Sequence, residues 1–316
     1  MADLPKQQSF VNTVIAAIKI ARPLHWSKNL SLYAALLFTG TLFIPSYFIT
    51  VTWAFIAFNF ASSAAYVFND VFDAKSDKLH PIKRKRPIPS EKISPRLALL
   101  EAVTLVFIAF YLASYLNTAF FFLLALYAVL QLFYTLGLKK LYIIDILIIA
   151  AGFIIRVYAG ALVINAHLSV WFLLCVVSVA LFLAAGKRRA ELNIAERGST
   201  RKSLSKYKTD LLNSYVTMFG SAAWMSWALF TFFESPKASP NVWLFLAEIS
   251  KATTINKLLM VTIPIVIFGI MRYQSLIFEE KTEAPEKLLL TDIPLMLSAI
   301  LWAVSVTWIL YGGVSI

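Results

Sequence analysis

The chain carries block after block of about 20 apolar residues with almost no charge inside them, the length at which a helix crosses a ~30 Å hydrocarbon core. Such blocks restrict the fold severely. In lipid, every backbone N–H and C=O must be bonded within its own segment or within a closed barrel. None of the blocks alternates polar and apolar residues with period two, so they form helices and not barrel strands. Composition agrees: 59% of the 316 residues are hydrophobic and 15% charged, against roughly a quarter charged in soluble domains. Hydropathy places nine spans, at roughly 29–49, 51–72, 94–115, 118–138, 141–163, 168–190, 211–234, 257–278 and 292–312. The expected fold is one all-α membrane domain over 1–316.

Charge sets the orientation. With the N-terminus in the cytoplasm, 25 of the 29 Lys and Arg fall on inner segments, three (Lys237, Lys251, Lys257) fall outside, and Arg156 lies within the fifth span. That asymmetry is a positive-inside signal and puts the C-terminus outside, as expected of a multi-pass protein of a bacterial inner membrane. The same bias explains most of the net charge of +12 without invoking nucleic acid. Eight basic residues in one inner loop exceed what topology requires and point to an anionic cytosolic substrate. Residues 1–22 lack a signal-peptide layout. Phe10, Val14, Ile15 and Ile18 recur there at helical spacing ahead of Lys19 and Arg22, which reads as a helix lying on the membrane surface. Cys175, alone in an apolar block, excludes an intramolecular disulfide. Chemistry is to be sought in the two long inner loops, 73–93 and 187–210.

The second span runs into Asn69-Asp70-Val71-Phe72-Asp73-Ala74-Lys75-Ser76-Asp77. Asn69, Asp73 and Asp77 are spaced four apart and are expected to stack along one helical face, with Asp70 on the neighbouring face. Like charges at that spacing repel, and acids are unfavourable near a helix C-terminus, so stability does not select this pattern. A divalent cation does: Mg2+ takes a few carboxylates and bridges to phosphate oxygens. Asp70, Asp73 and Asp77 are the candidate metal ligands. Next comes His80-Pro81-Ile82-Lys83-Arg84-Lys85-Arg86-Pro87, where proline breaks the helix and turns the basic run toward the acids. Lys83 and Arg86 are candidate phosphate ligands, whereas Arg84 and Lys85 read as topological charge. His80 is a candidate for metal or a substrate hydroxyl.

Two further clusters carry charge into apolar surroundings. Tyr134 and Lys139 flank the turn between the fourth and fifth spans, and Asp145, Gly152 and Arg156 share a face of the fifth. Asp145 and Arg156 stand eleven residues apart, ~16 Å along a helix, too far for direct contact. Each therefore needs its own role, Asp145 near the metal and Arg156 deeper. Gly152 and Gly160 allow close helix approach. The sixth span ends in Gly186-Lys187-Arg188-Arg189-Ala190-Glu191. Lys187 and Arg188 are candidate substrate ligands, with a plain Lys187–Glu191 helix pair as the alternative. Upstream, Arg22-Pro23-Leu24-His25-Trp26-Ser27-Lys28-Asn29 leads into the first span, where Trp26 reads as an interface anchor and Lys28 is expected to face the site.

The Asn69-Asp70-x-x-Asp73 run, with a second Asp-bearing segment after the fourth span, resembles the UbiA superfamily of intramembrane prenyltransferases. Several segments look like its decaprenyl-phosphate phosphoribosyltransferase branch: Asn69 to Ile88, Arg22-Pro23 with Trp26 and Lys28-Asn29, Tyr134 to Gly160, and Gly186-Lys187-Arg188. The resemblance covers nearly the whole chain. It implies nine helices around a central cavity with Mg2+ and pyrophosphate at a cytoplasmic polar cap. It also implies phosphoribosyl pyrophosphate as donor and a polyprenyl phosphate as acceptor, serving cell-envelope synthesis. The implied catalytic set is Asn69, Asp70, Asp73, Asp77 and Asp145. The implied substrate set is Lys28, His80, Lys83, Arg86, Tyr134, Lys139, Arg156, Lys187 and Arg188. Asp145 lacks a second acid at helical spacing, which departs from the wider superfamily. That departure disfavours the alternative, transfer of a polyprenyl pyrophosphate's chain to an aromatic acceptor.

Overall fold

The computed structural model describes residues 10–80, 83–195, 206–234, 257–279 and 291–312, together with Pro236, Ser239, Val242, Leu244 and Leu288. All regular structure among them is helical. Helix α1 (Phe10–Ala21) leads into a 3-10 segment (Pro23–Tyr33), then α2 (Ala34–Phe38) and α3 (Pro45–Asp77). There follow α4 (Pro95–Ser114), α5 (Thr118–Leu136), α6 (Ile144–Val163), α7 (Val170–Ala195), α8 (Thr209–Phe233), α9 (Ile263–Phe278) and α10 (Ile293–Tyr311). Local chemistry sets several boundaries. Ser94, Asn117 and Asp292 accept hydrogen bonds from the backbone N–H groups of Leu97, Phe120 and Leu295, so they cap α4, α5 and α10.

Among the described residues, eight helices are long and apolar enough to cross a membrane. The last seven match the sequence expectation within three residues at each end. The first two differ. No continuous helix covers 29–49; the chain instead makes the 3-10 segment and α2, turns, and starts α3 at Pro45. The reason is visible in the residues. Ser27, Lys28, Asn29 and Ser31 give the segment polar side chains that bond neighbours, and Pro45 reopens a helix, so Ser46 to Thr50 join α3. Eleven 3-10 residues at ~2.0 Å and five α residues at ~1.5 Å still span about 30 Å, one hydrocarbon thickness. A ninth membrane-length element survives with fewer residues.

Helix α3 is 33 residues long, about 50 Å, so it overshoots a ~30 Å core by several turns. That overshoot carries Asn69 to Asp77 beyond the apolar part of the bundle. Alanines make its packing close: Ala98, Ala102, Ala109 and Ala113 of α4 are buried, as are Ala54, Ala57, Ala61 and Ala64 of α3. Helices α5, α6, α7, α8, α9 and α10 follow one another round the bundle. Tyr311 closes the ring, its hydroxyl 2.9 and 2.8 Å from the Leu36 and Leu37 carbonyl oxygens of α2. Ile20 and Ala16 of α1 are buried with Val67 of α3 and Ala98 and Ala102 of α4. Val11, Val14, Ile15 and Ile18 are exposed, at the spacing of a single helical stripe. Residues 1–9 of the expected surface helix, Pro81, and much of the 187–210 loop lie outside the described residues.

The 3-10 segment is seated against α6 at Gly160. A Cβ there would come within 1.9 Å of the Leu32 carbonyl oxygen, whereas a Cβ on Gly137 would meet nothing within 4 Å. Gly160→Ala should therefore lower the unfolding temperature in detergent, with a cost of about 1–3 kcal/mol or more. Gly137→Ala should leave it unchanged; equal behaviour of the two would contradict this packing.

Candidate active site

The overshooting end of α3 gathers acids and bases in pairs. Arg86 donates from Nη1 to Asp70 Oδ1 at 3.0 Å and to Asp77 Oδ2 at 2.8 Å. Arg22 reaches the same Asp70 oxygen at 2.5 Å and lies over the Tyr66 ring. On the other side, Lys139 donates to Asp73 Oδ1 at 2.6 Å and to Asn69 Oδ1 at 3.0 Å. Asp70, Asp77 and Lys139 are buried, which the pairing makes tolerable.

This arrangement corrects the expected face. Asn69 and Asp73 do belong together, but Asp77 joins Asp70 and not Asp73. Seven residues is nearly two full helical turns, while eight, from Asn69 to Asp77, overshoots by about 80°. Among the described residues no three acidic, His or Cys side chains converge closely enough to hold an ion. The hard-oxygen donors Asp70, Asp73, Asp77 and Asn69 nonetheless lie within about two turns of one helix, a set suited in kind to Mg2+.

The basic loop wraps this end. The Lys83 N–H donates to His80 Nδ1 at 3.3 Å, and the Arg86 N–H to the Lys83 carbonyl at 3.0 Å. His80 is buried, Lys83 and Arg86 are half-buried, and Arg84 and Lys85 are exposed. Arg22 was not expected here. Its backbone sits in the left-handed region, φ 54°, where α1 turns into the 3-10 segment, a conformation a non-glycine residue adopts at some cost. A sequence reading treats such an Arg as topological charge. Its place between an apolar helix and a proline was the available signal.

A second network ties helix ends together. Arg188 and Asp145 are both fully buried, with Nε and Oδ2 2.7 Å apart. Arg188 also pairs with Glu191 and donates to the Tyr134 hydroxyl at 2.8 Å. Tyr207 donates to Asp145 Oδ1 at 2.7 Å and accepts from the Ile143 N–H at 2.9 Å. Burial, reinforced by the Asp145 carboxylate, holds the Tyr207 phenol above its usual range. Asp145 and Arg188 are thus enclosed side chains within the wall of the bundle. Tyr207, an aromatic in a basic loop, gave no signal in the sequence.

Deeper, Arg156 donates from Nε to Asn29 Oδ1 at 2.5 Å, from Nη1 to the Gly152 carbonyl at 2.5 Å, and from Nη2 to Tyr127 at 2.9 Å. Phe58, Tyr127 and Phe153 rings surround its guanidinium. Asn29 donates in turn to Asn59 and Ser62. Arg156 is 4% exposed, so it too acts within the wall. Asn29, the Gly152 carbonyl and Tyr127 are all neutral, and the rings add cation–π stabilisation.

Beside this wall lies a cavity of about 580 Å³. Phe38, Phe153, Phe172, Trp227 and Trp302 line it, and Lys28 and Lys187 are the charged residues on its surface. Along α7, Lys187 stands fifteen residues from Phe172, so the cavity extends ~22 Å from its cationic mouth.

The chain is thus a multi-pass bundle with a charged helix end and an apolar cavity. The chain belongs to the UbiA prenyltransferase family, whose model matches residues 29–247, and it is a transferase. It is 33% identical to a decaprenyl-phosphate phosphoribosyltransferase of Corynebacterium glutamicum, over 98% of this chain and 91% of that one. The enzyme of the same name from Mycolicibacterium smegmatis is 38% identical, over 70% of this chain and 71% of that one. Among solved structures, a UbiA homologue from Archaeoglobus fulgidus with GPP and Mg2+ superposes at TM-score 0.65 and 16% identity, covering 93% of this chain and 97% of that one. The same homologue has been solved with Cd2+, at TM-score 0.63 and 15% identity, covering 93% and 98%. These last two establish the shared fold.

Arg156 spends three separate nitrogens on three helices or segments, which a single ammonium cannot reproduce. Arg156→Lys should lose about 1.5–3 kcal/mol of stability, read as a lower melting temperature of the detergent-solubilised protein. Wild-type stability in that variant would show that the network does not hold the wall.

Proposed function

We propose that the protein transfers the 5-phosphoribosyl group of phosphoribosyl pyrophosphate to the phosphate of a polyprenyl lipid, releasing pyrophosphate, at the cytoplasmic face of a bacterial inner membrane. One observation carries this reading: besides the charged end of α3, the bundle holds an apolar cavity with Lys28 and Lys187 on its wall. Two anions then have separate sites, and the one with a hydrocarbon tail has a place for it. The names of the relatives point the same way.

In the step, an oxygen of the lipid phosphate attacks C1 of the ribose. The bond from C1 to the pyrophosphate oxygen breaks, and pyrophosphate leaves with the electron pair. Phosphate monoesters are largely dianionic at pH 7, so no base need remove a proton. What the protein must supply is charge relief and alignment. Asp70, Asp73, Asp77 and the Asn69 carbonyl oxygen would hold a divalent ion. A divalent ion held there would supply charge relief for the leaving pyrophosphate. Arg86, Lys139 and Arg22, which neutralise these acids in the free protein, are then placed to engage pyrophosphate oxygens. Lys83 and His80 serve the ribose and its 5-phosphate. Lys187, a candidate substrate ligand from sequence, serves in this reading the lipid phosphate together with Lys28, because both line the apolar cavity. The alternative, a polyprenyl pyrophosphate joined to an aromatic acceptor, loses support because Asp145 is enclosed by Arg188 and Tyr207.

The test is direct. Membranes containing the protein should transfer label from phosphoribosyl pyrophosphate to polyprenyl phosphate, lose that activity in excess chelator, and regain it with Mg2+. Asp73→Asn should fold normally yet lose most of the activity. Transfer from geranyl pyrophosphate to an aromatic acid, with none to the lipid phosphate, would overturn the assignment.

Lys187→Ala separates the two anion sites. Loss of one charge-assisted contact, ~1.5–3 kcal/mol, should raise KM for the lipid phosphate roughly ten- to a hundredfold or more. KM for phosphoribosyl pyrophosphate should change little. The reverse pattern would return Lys187 to the donor.

A further inference from the structure

Ile143 has φ 69° and ψ −45°, the centre of a γ-turn closed by the Ile144 N–H on the Tyr142 carbonyl at 2.8 Å, a rare and strained conformation for a β-branched residue. One hydroxyl braces it. Tyr207 accepts from the Ile143 N–H at 2.9 Å and donates to Asp145 Oδ1 at 2.7 Å, and its ring packs on Tyr142 with centroids 4.5 Å apart. Through Asp145 the chain of contacts continues to Arg188, and from Arg188 to Tyr134 and Glu191. Those seven residues come from the end of α5, the turn after it, the start of α6, the end of α7 and the approach to α8. All belong to one knot, buried at Asp145, Arg188 and Tyr207 and open at Ile143.

Two cations of the proposed mechanism hang from it on opposite sides. Lys139 lies in the turn between Tyr134 and Ile143 and reaches Asp73 and Asn69 at the cap. Lys187 is the residue before Arg188 and stands on the cavity wall. We infer that Tyr207 is a positioning residue: its hydroxyl locks the knot that fixes the spacing between the donor cation Lys139 and the acceptor cation Lys187. This inference rests on the two-anion reading of the site. Tyr207 touches neither substrate. It acts on the distance across which the lipid phosphate must approach C1, a quantity to which rate is far more sensitive than binding.

The discriminating variant is Tyr207→Phe, which keeps the ring on Tyr142 and removes only the hydroxyl. It should reduce kcat at least about tenfold while both KM values stay within about twofold, because each cation still meets its own substrate. Amide hydrogen exchange should quicken in the peptide containing Ile143 and Asp145. Asp145→Asn should impair kcat in the same way, and the double variant should be no worse than the poorer single one, as expected of groups acting as one unit. Three outcomes overturn the inference: unchanged kcat per folded molecule, a rise confined to one KM, or additive losses in the double variant. If the wild-type protein itself transfers no phosphoribosyl group, the functional reading fails. The knot is then judged by exchange alone, where an unchanged rate at Ile143 in Tyr207→Phe would refute it.

Discussion

The contact between Arg156 and Asn29 governs how the charged and apolar parts of this protein meet. The 3-10 segment has weaker internal hydrogen bonding than an α-helix, and it is held from outside. Arg156 grips Asn29, Asn29 grips Asn59 and Ser62, Trp26 bonds Ser63, and Gly160 lets the backbone at Leu32 come close. Once seated, the segment sets two site elements. Arg22 at its head is brought to Asp70, and Lys28 is placed on the cavity wall. A cation within a membrane bundle is costly unless its donors are satisfied. Here all three kinds of guanidinium nitrogen are used on the elements that need joining.

Charge elsewhere follows the same economy of matched partners. Asp70 and Asp77 share Arg86, Asp73 and Asn69 share Lys139, and Asp145 and Glu191 share Arg188. The first two groups lie at the end of a helix too long for the bilayer, with Asp73 and Arg86 partly open to solvent. In the third, Asp145 and Arg188 are fully enclosed while Glu191 is partly open. On the proposed reading, the open groups exchange partners with an incoming phosphate and the enclosed pair holds the frame.

Much of this was legible in the residues. Seven spans, the acid-rich end of α3 and the basic loop after it follow from hydropathy, spacing and proline. The opening span was misread because hydropathy cannot separate a polar 3-10 segment from the apolar start of the next helix. Pairing was less accessible still. Asn29 and Arg156 are 127 residues apart, and Asp145 and Tyr207 are 62 apart. No local periodicity links them. Arg188 and Asp145 looked like ligands because charge beside an apolar span normally marks a site. In the structure they enclose one another. Lys187 and Lys28, both candidates from sequence, are set apart from the other candidate bases by the cavity they border.

Cys175, the chain's single cysteine, lines that cavity and offers a direct probe of whether the lipid occupies it. The measurement is the rate at which a membrane-permeant maleimide alkylates Cys175 in the otherwise unaltered protein. Saturating polyprenyl phosphate should slow the reaction severalfold, phosphoribosyl pyrophosphate alone should not, and Lys187→Ala should shift the protection to higher lipid concentration. An alkylation rate indifferent to saturating lipid phosphate, in protein that turns it over, would place the tail elsewhere and contradict the account.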